Sequence, residues 1–120
     1  IPAFYTPTSF GTELAEGKET RSFADREYVL EYGLTADFAL IKCARADRLG
    51  NLVYNKTARN FSPVMAMAAK TTIAQANSVV AAGDIDPETI VTPGVFVDRL
   101  VEVGEALQES ALVASGASYP

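Results

Sequence analysis

Arg59 and Asn60 stand together in "TARNF", directly ahead of Ser62-Pro63, a pair that suits the start of a helix. The free N–H groups of a helix start attract anions, and the planar fork of Arg59 matches a carboxylate or a phosphate. The amide of Asn60 could orient a carbonyl or an oxyanion. An equally good reading makes both residues structural, with Arg59 paired to Asp37 or Asp47 and Asn60 capping a turn.

The remaining reactive types lack an activating context. Glu13, Glu16, Glu19, Glu27 and Glu31 are nucleophiles by type only, since a carboxylate must be desolvated and flanked by oxyanion donors before it attacks. Glu13 follows Gly11-Thr12, but Glu16 and Lys18 mark a wet loop. "DIDPE", Asp84 to Glu88, lacks the glycine and the distal glutamate of a calcium loop, and Asp86 before Pro87 reads as a solvated turn. Cys43 closes an apolar run and reads as a small hydrophobe despite Lys42 and Arg45 nearby. The chain has no histidine, which removes Ser-His and Cys-His activation and the commonest zinc ligand. Gly50 and Gly94 stand alone, so there is no recognisable phosphate-cradling loop. We assign no catalytic residue and no metal ligand to this chain.

These residues sit in a chain of 120 residues with 48% hydrophobic content, enough for one ordinary domain or a piece of a larger one. The net charge is −5 and the ten basic residues are scattered, so the basic face that nucleic-acid binding needs is missing. One cysteine excludes an internal disulfide and suits a reducing cytoplasm. No apolar run approaches the roughly 20 residues of a membrane span. The first residues lack the basic-then-apolar pattern of a signal peptide. The chain opens on Ile1 rather than methionine, from which we expect an upstream part to have been removed or left out.

The elements that must position the candidates follow from pattern. "IPAFYTPTSFGT" has Pro2 and Pro7 around Phe4 and Tyr5, and reads as an extended segment crossing a surface or an interface. Thr20–Phe23 and Tyr28–Tyr32 predict a hairpin, with Tyr28, Leu30 and Tyr32 on one face and Val29 and Glu31 on the other. "DFALIKC" is a nearly continuous apolar run, as in a strand covered on both faces. Asp47, Gly50 and Asn51 end it in a turn, and "LVYN" suggests a further short strand. Ser62 is the expected N-cap of a two-turn helix with Pro63 first and Lys70 at its negative end; Met65 and Met67 are expected core fillers. "TTIAQAN" predicts a strand, Pro87 and Pro93-Gly94 predict turns, and Val95–Val103 predicts the final strand. Residues 104–120 read as a flexible or partly helical tail. This makes an α/β or α+β domain. Its few helices are too few to cover both faces of "DFALI", so another segment or another chain is expected to complete the sheet.

"IPAFYTPTSFGT", "ADFALIKCARADRLGNLVYNKTARNF", "MAAKTTIAQ" and "IVTPGVFVDRL" resemble, in order and spacing, the second half of the A-type subunit of family I CoA-transferases. The resemblance covers residues 1–103. Within the family, "LAEGKETR" and "MAMAAKTTIAQ" are most similar to the form that works on 3-oxoadipate. Short-chain 3-oxoacid relatives share most of these blocks.

The resemblance implies an α/β fold, part of the open-sheet CoA-transferase architecture (the NagB/RpiA-like fold) without its N-terminal half and glycine-rich loop. It implies transfer of CoA from succinyl-CoA to a 3-oxoacid through a glutamyl-CoA thioester, with the glutamate on a partner B-type subunit. CoA would enter as a substrate thioester, with no resident cofactor, and the isolated chain would be inert. Ligands of an open α/β sheet sit beyond its strand ends. On that basis Phe4, Tyr5, Thr6, Asn51, Arg59 and Asn60 are candidates for substrate or interface contact, with Arg59 meeting the distal carboxylate of a dicarboxylic 3-oxoacid. Two rivals are a non-catalytic interaction domain and a sugar-phosphate isomerase of related α/β type. The second needs a phosphate loop and an acid/base pair, and the sequence offers neither.

Overall fold

The computed structural model describes residues 1–104 and 115–116; the expected tail therefore lies almost wholly outside the described residues. The chain divides into two compact units, Ile1–Thr35 and Ala36–Pro120.

The first unit is a three-stranded antiparallel sheet in the order β1-β3-β2, with β1 Ala3–Thr6, β2 Thr20–Phe23 and β3 Arg26–Tyr32. The expected hairpin forms. Its two turn residues, Ala24 and Asp25, both have positive φ (46° and 61°), as a type I′ turn requires without its usual Asn-Gly. The faces of β3 differ from expectation: Val29 is the fully buried residue and Tyr32 is exposed. The proline-rich opening becomes β1, paired Ala3 to Tyr32 and Tyr5 to Leu30.

The second unit carries the chain's main core. β4 Ala36–Asp47 and β6 Ala69–Val80 lie parallel, β7 Arg99–Glu102 extends the sheet parallel to β6, and β5 Leu52–Val53 pairs antiparallel with the end of β4. Between β5 and β6 the chain passes through a 3₁₀ turn, Lys56–Arg59, and the helix α1, Ser62–Ala68. Ala39, Ile41, Cys43, Ala46, Leu52, Tyr54, Ala66, Ala74 and Ala76 form one buried cluster. The small alanines of β4 and β6 let α1 and the loops pack closely on this face.

Several expectations need correction. β4 does not stop at Cys43 but runs to Asp47, so "RAD" is strand. Phe61, not Ser62, occupies the N-cap position, without a side-chain cap, and its carbonyl accepts the Met65 N–H at 2.9 Å. α1 ends at Ala68 because Ala69 is already extended, so Lys70 belongs to β6 and pairs with Asp37 at 2.9 Å. Thr72 Oγ1 donates to the Ala66 carbonyl at 2.9 Å, occupying one of the carbonyls that a helix end leaves free. Met65 and Met67 are 45% and 54% exposed, and only Ala66 of α1 is buried. The last strand is shorter than expected, since Gly94–Phe96 forms a 3₁₀ turn after Pro93.

β4 is covered on one face only. Ala39, Ile41 and Cys43 are buried, while Phe38 and Leu40 between them are 64% and 73% exposed. The apolar run asks for two covered faces, and the second unit by itself supplies one.

Candidate functional site

The polar turn after β4 is built around Asp47, which is only 3% exposed. Its Oδ1 accepts the backbone N–H groups of Leu49 and Asn51, each at 2.9 Å, and its Oδ2 accepts the Asn51 side-chain amide at 2.8 Å. Burial alone would raise the pKa of this carboxyl. The Asn51 amide and the N–H groups of Asn51, Leu49 and Gly50 outweigh it and hold the group below the ordinary aspartate value.

Asn51 continues the chain of contacts. Its Oδ1 accepts the backbone N–H of Gly94 at 2.8 Å. At Gly94 the backbones are so close that an added Cβ would lie 2.1 Å from the Leu49 carbonyl oxygen, a position only glycine tolerates. Leu52 and Thr92 exchange backbone hydrogen bonds beside this point, and Thr92 Oγ1 lies 2.8 Å from the buried Tyr54 hydroxyl. The turn at 48–51 and the turn at 93–94 are therefore one structure at the carboxyl end of β4, where an open sheet presents its ligand-binding loops.

Arg59 and Asn60 occupy a different place. They lie between β5 and α1, on the stretch that leads to the amino end of β6 beside Ala36. Both are exposed, and no hydrogen bond or ion pair joins either to Asn51. The structural pairing considered for Arg59 does not form: Asp37 holds Lys70 and Asp47 holds Asn51. Asn60 has φ of 40°, the left-handed region that asparagine tolerates better than most residues.

Phe4, Tyr5 and Thr6 belong to the first unit. Successive strand residues point to opposite faces, so Phe4 and Tyr5 cannot both meet one ligand on one face. Tyr5 packs edge-on against Phe23, with ring centroids 5.3 Å apart, and its hydroxyl donates to Glu19. That bond to a carboxylate raises the phenol pKa. Thr6 Oγ1 accepts the Thr8 N–H at 3.2 Å. Phe4 is exposed.

Two other candidates follow the bland reading. Cys43 is buried, and burial pushes its thiol up to about 11. Asp86 caps a 3₁₀ turn, Pro87–Thr89, by accepting the Glu88 N–H at 3.0 Å. Neither is arranged for chemistry. Sequence reasoning missed Asp47 and Gly94 as one structure; the signals were present, but as two turns read separately.

A parallel sheet with a latched loop at its carboxyl end, and no activated nucleophile among the residues just described, fits a ligand-positioning part of an acyl-transfer enzyme. The profile of the Coenzyme A transferase family matches residues 1–103, and the chain belongs to that family. It is 61% identical over 110 residues to the A-type subunit of 3-oxoadipate CoA-transferase from Pseudomonas putida, covering 92% of this chain and 48% of that protein. It is 54% identical over 101 residues to the A-type subunit of a probable succinyl-CoA:3-ketoacid coenzyme A transferase from Bacillus subtilis, covering 84% and 42%. Among solved structures, the thioester complex of the acyl-CoA transferase YdiF from E. coli O157:H7 superposes with a TM-score of 0.73 at 19% identity, over 89% of this chain and 25% of that one. That likeness establishes the fold. The chain thus spans about half the length of the curated relatives it matches.

Proposed function

We propose that this chain is part of the non-nucleophile subunit of a cytoplasmic CoA-transferase that moves CoA from succinyl-CoA to a 3-oxoacid, 3-oxoadipate in the first instance. The observation that carries the reading is the 61% identity to the Pseudomonas putida 3-oxoadipate enzyme over 92% of this chain. CoA enters as part of the substrate.

The chemistry is ping-pong, and its nucleophile is a glutamate of a partner B-type subunit. That carboxylate attacks the succinyl-CoA carbonyl and expels the CoA thiolate, leaving a mixed anhydride. The thiolate then attacks the glutamyl carbonyl, releases succinate and leaves a glutamyl-CoA thioester. The carboxylate of the 3-oxoacid repeats the sequence in reverse, ending as its CoA thioester with the glutamate restored. None of this chain's carboxylates has the desolvated, donor-flanked setting that the attack needs: Glu19 and Glu27 accept hydrogen bonds from Tyr5 and Ser22, Glu31 pairs with Lys18, and Glu13 and Glu16 are not enclosed by donors.

Within this reading the latched turn of Asp47, Asn51 and Gly94 is a rigid support at the strand end. Arg59, exposed and free of an acidic partner among the described residues, meets the distal carboxylate of a dicarboxylic acceptor. The test is an assay of the chain assembled with the remainder of its own subunit, together with a B-type partner. Succinyl-CoA is the donor, and 3-oxoadipate is compared with a short-chain 3-oxoacid. Transfer to 3-oxoadipate with the higher kcat/KM supports the reading; preference for the short-chain acid moves it to the other branch of the family, and no transfer to either refutes it.

A further inference from the structure

The exposed face of the second unit's sheet is a built surface. In the parallel register Leu40 lies beside Ile73 and Lys42 beside Gln75, while Ile73 and Gln75 lie in turn beside Arg99 and Val101. Residues paired in register share a face. This face therefore presents Phe38, Leu40, Ile73 and Val101 with Lys42 and Arg99 among them. Leu40, Lys42, Ile73, Gln75 and Val101 line a shallow hollow of about 300 Å³, room for one or two inserted side chains. Parallel sheets occur almost only with both faces covered, and the core cluster of this unit occupies the opposite face.

We propose that this face is the docking surface for the other half of the same subunit. The occupant is an amphipathic helix of that half, whose apolar side fills the hollow and whose carboxylate meets Lys42. This inference rests on the reading of the chain as part of a CoA-transferase subunit. Three observations select the occupant. The chain matches 48% of the Pseudomonas putida relative, so a comparable length of that polypeptide lies outside the matched part. Helices are what cover a parallel sheet, because the crossovers between parallel strands place them there. Both charged residues of the face, Lys42 and Arg99, are cationic, so a covering surface must bring anionic groups or strand them unpaired.

The experiment co-expresses this chain with the unmatched half of the Pseudomonas putida relative and follows side-chain labelling by carbene footprinting, with and without that half. The expected result is a stable complex in which labelling of Phe38, Leu40 and Val101 falls to the level of the buried Ile41. Lys42→Glu should weaken the complex by about tenfold or more, the equivalent of about 1.4 kcal/mol. Leu40→Asp should abolish it while leaving the melting of the isolated chain unchanged, since Leu40 touches solvent there. No complex, a complex with these residues still labelled, or protection of the same face by a second copy of this chain would each overturn the proposal. The readout needs no CoA. A protected complex without transferase activity would therefore refute the functional reading alone, and an active complex with this face still labelled would refute the docking alone.

Discussion

Asn51 Oδ1 accepts the backbone N–H of Gly94 at 2.8 Å, joining two turns that lie 43 residues apart in the chain. With Asp47 on the other side of the same amide, this contact ties the end of β4 to the turn that precedes β7. Asn51 thus has both ends of its side chain engaged, and its role at the strand end is to hold the loop in place.

Replacing Gly94 by alanine should be the most damaging single change at this latch. The new Cβ would fall 2.1 Å from the Leu49 carbonyl oxygen, and both neighbours are backbone that cannot rotate away. We expect a loss of about 3 kcal/mol, at the upper end of ordinary overpacking. Asn51→Ala, which removes one acceptor and one donor without a clash, should cost about 1–2 kcal/mol. Urea unfolding of the three proteins checks the order.

Asp47 should make stability depend on acid. Its folded pKa lies below the ordinary aspartate value of 3.8, so its contribution is fully present above that value. It is lost as pH falls through the lower folded pKa, when the carboxyl takes up a proton and Asn51 loses its acceptor. Asp47→Asn should be less stable at neutral pH and should lose less on acidification to pH ~2. Urea midpoints measured along a pH series separate the two curves.

Cys43 should be silent towards thiol reagents in the folded chain. Its thiol is buried and pushed up to about 11, so little thiolate exists at neutral pH and little surface is open to attack. Labelling with a disulfide reagent at pH ~8 should be slow in buffer and fast in denaturant; fast labelling in buffer would contradict this placement.

Arg59→Ala in the assembled enzyme should raise KM for 3-oxoadipate, by about tenfold for loss of a charge-assisted contact. It should leave KM for a monocarboxylic 3-oxoacid little changed. An unchanged KM for 3-oxoadipate would remove Arg59 from the substrate site.

Much of the fold is legible because it is local. The hairpin shows in the β-prone runs on either side of Ala24-Asp25, and the β4 strand shows in "DFALIKC". The exposure of Phe38 and Leu40 is legible only as a shortage of helices, because an apolar side chain reads the same whether its cover lies in this chain or in another. Met65 and Met67 read as core fillers for a related reason, yet α1 is so short that only Ala66 is buried. The latch cannot be read at all. Asn51 and Gly94 each look like an ordinary turn residue, and their contact depends on a register set by β4, β6 and β7. Of the candidate site residues, Asn51 and Arg59 lie on different loops, a separation that spacing along the chain does not reveal.

The central claim is that this chain supports the transfer without carrying its nucleophile. The most direct measurement is the intact mass of every polypeptide in the assembled enzyme after incubation with succinyl-CoA and no acceptor. The account predicts that the B-type partner gains one CoA in thioester linkage while this chain keeps its mass. A CoA adduct on this chain, or none on any polypeptide, would contradict it.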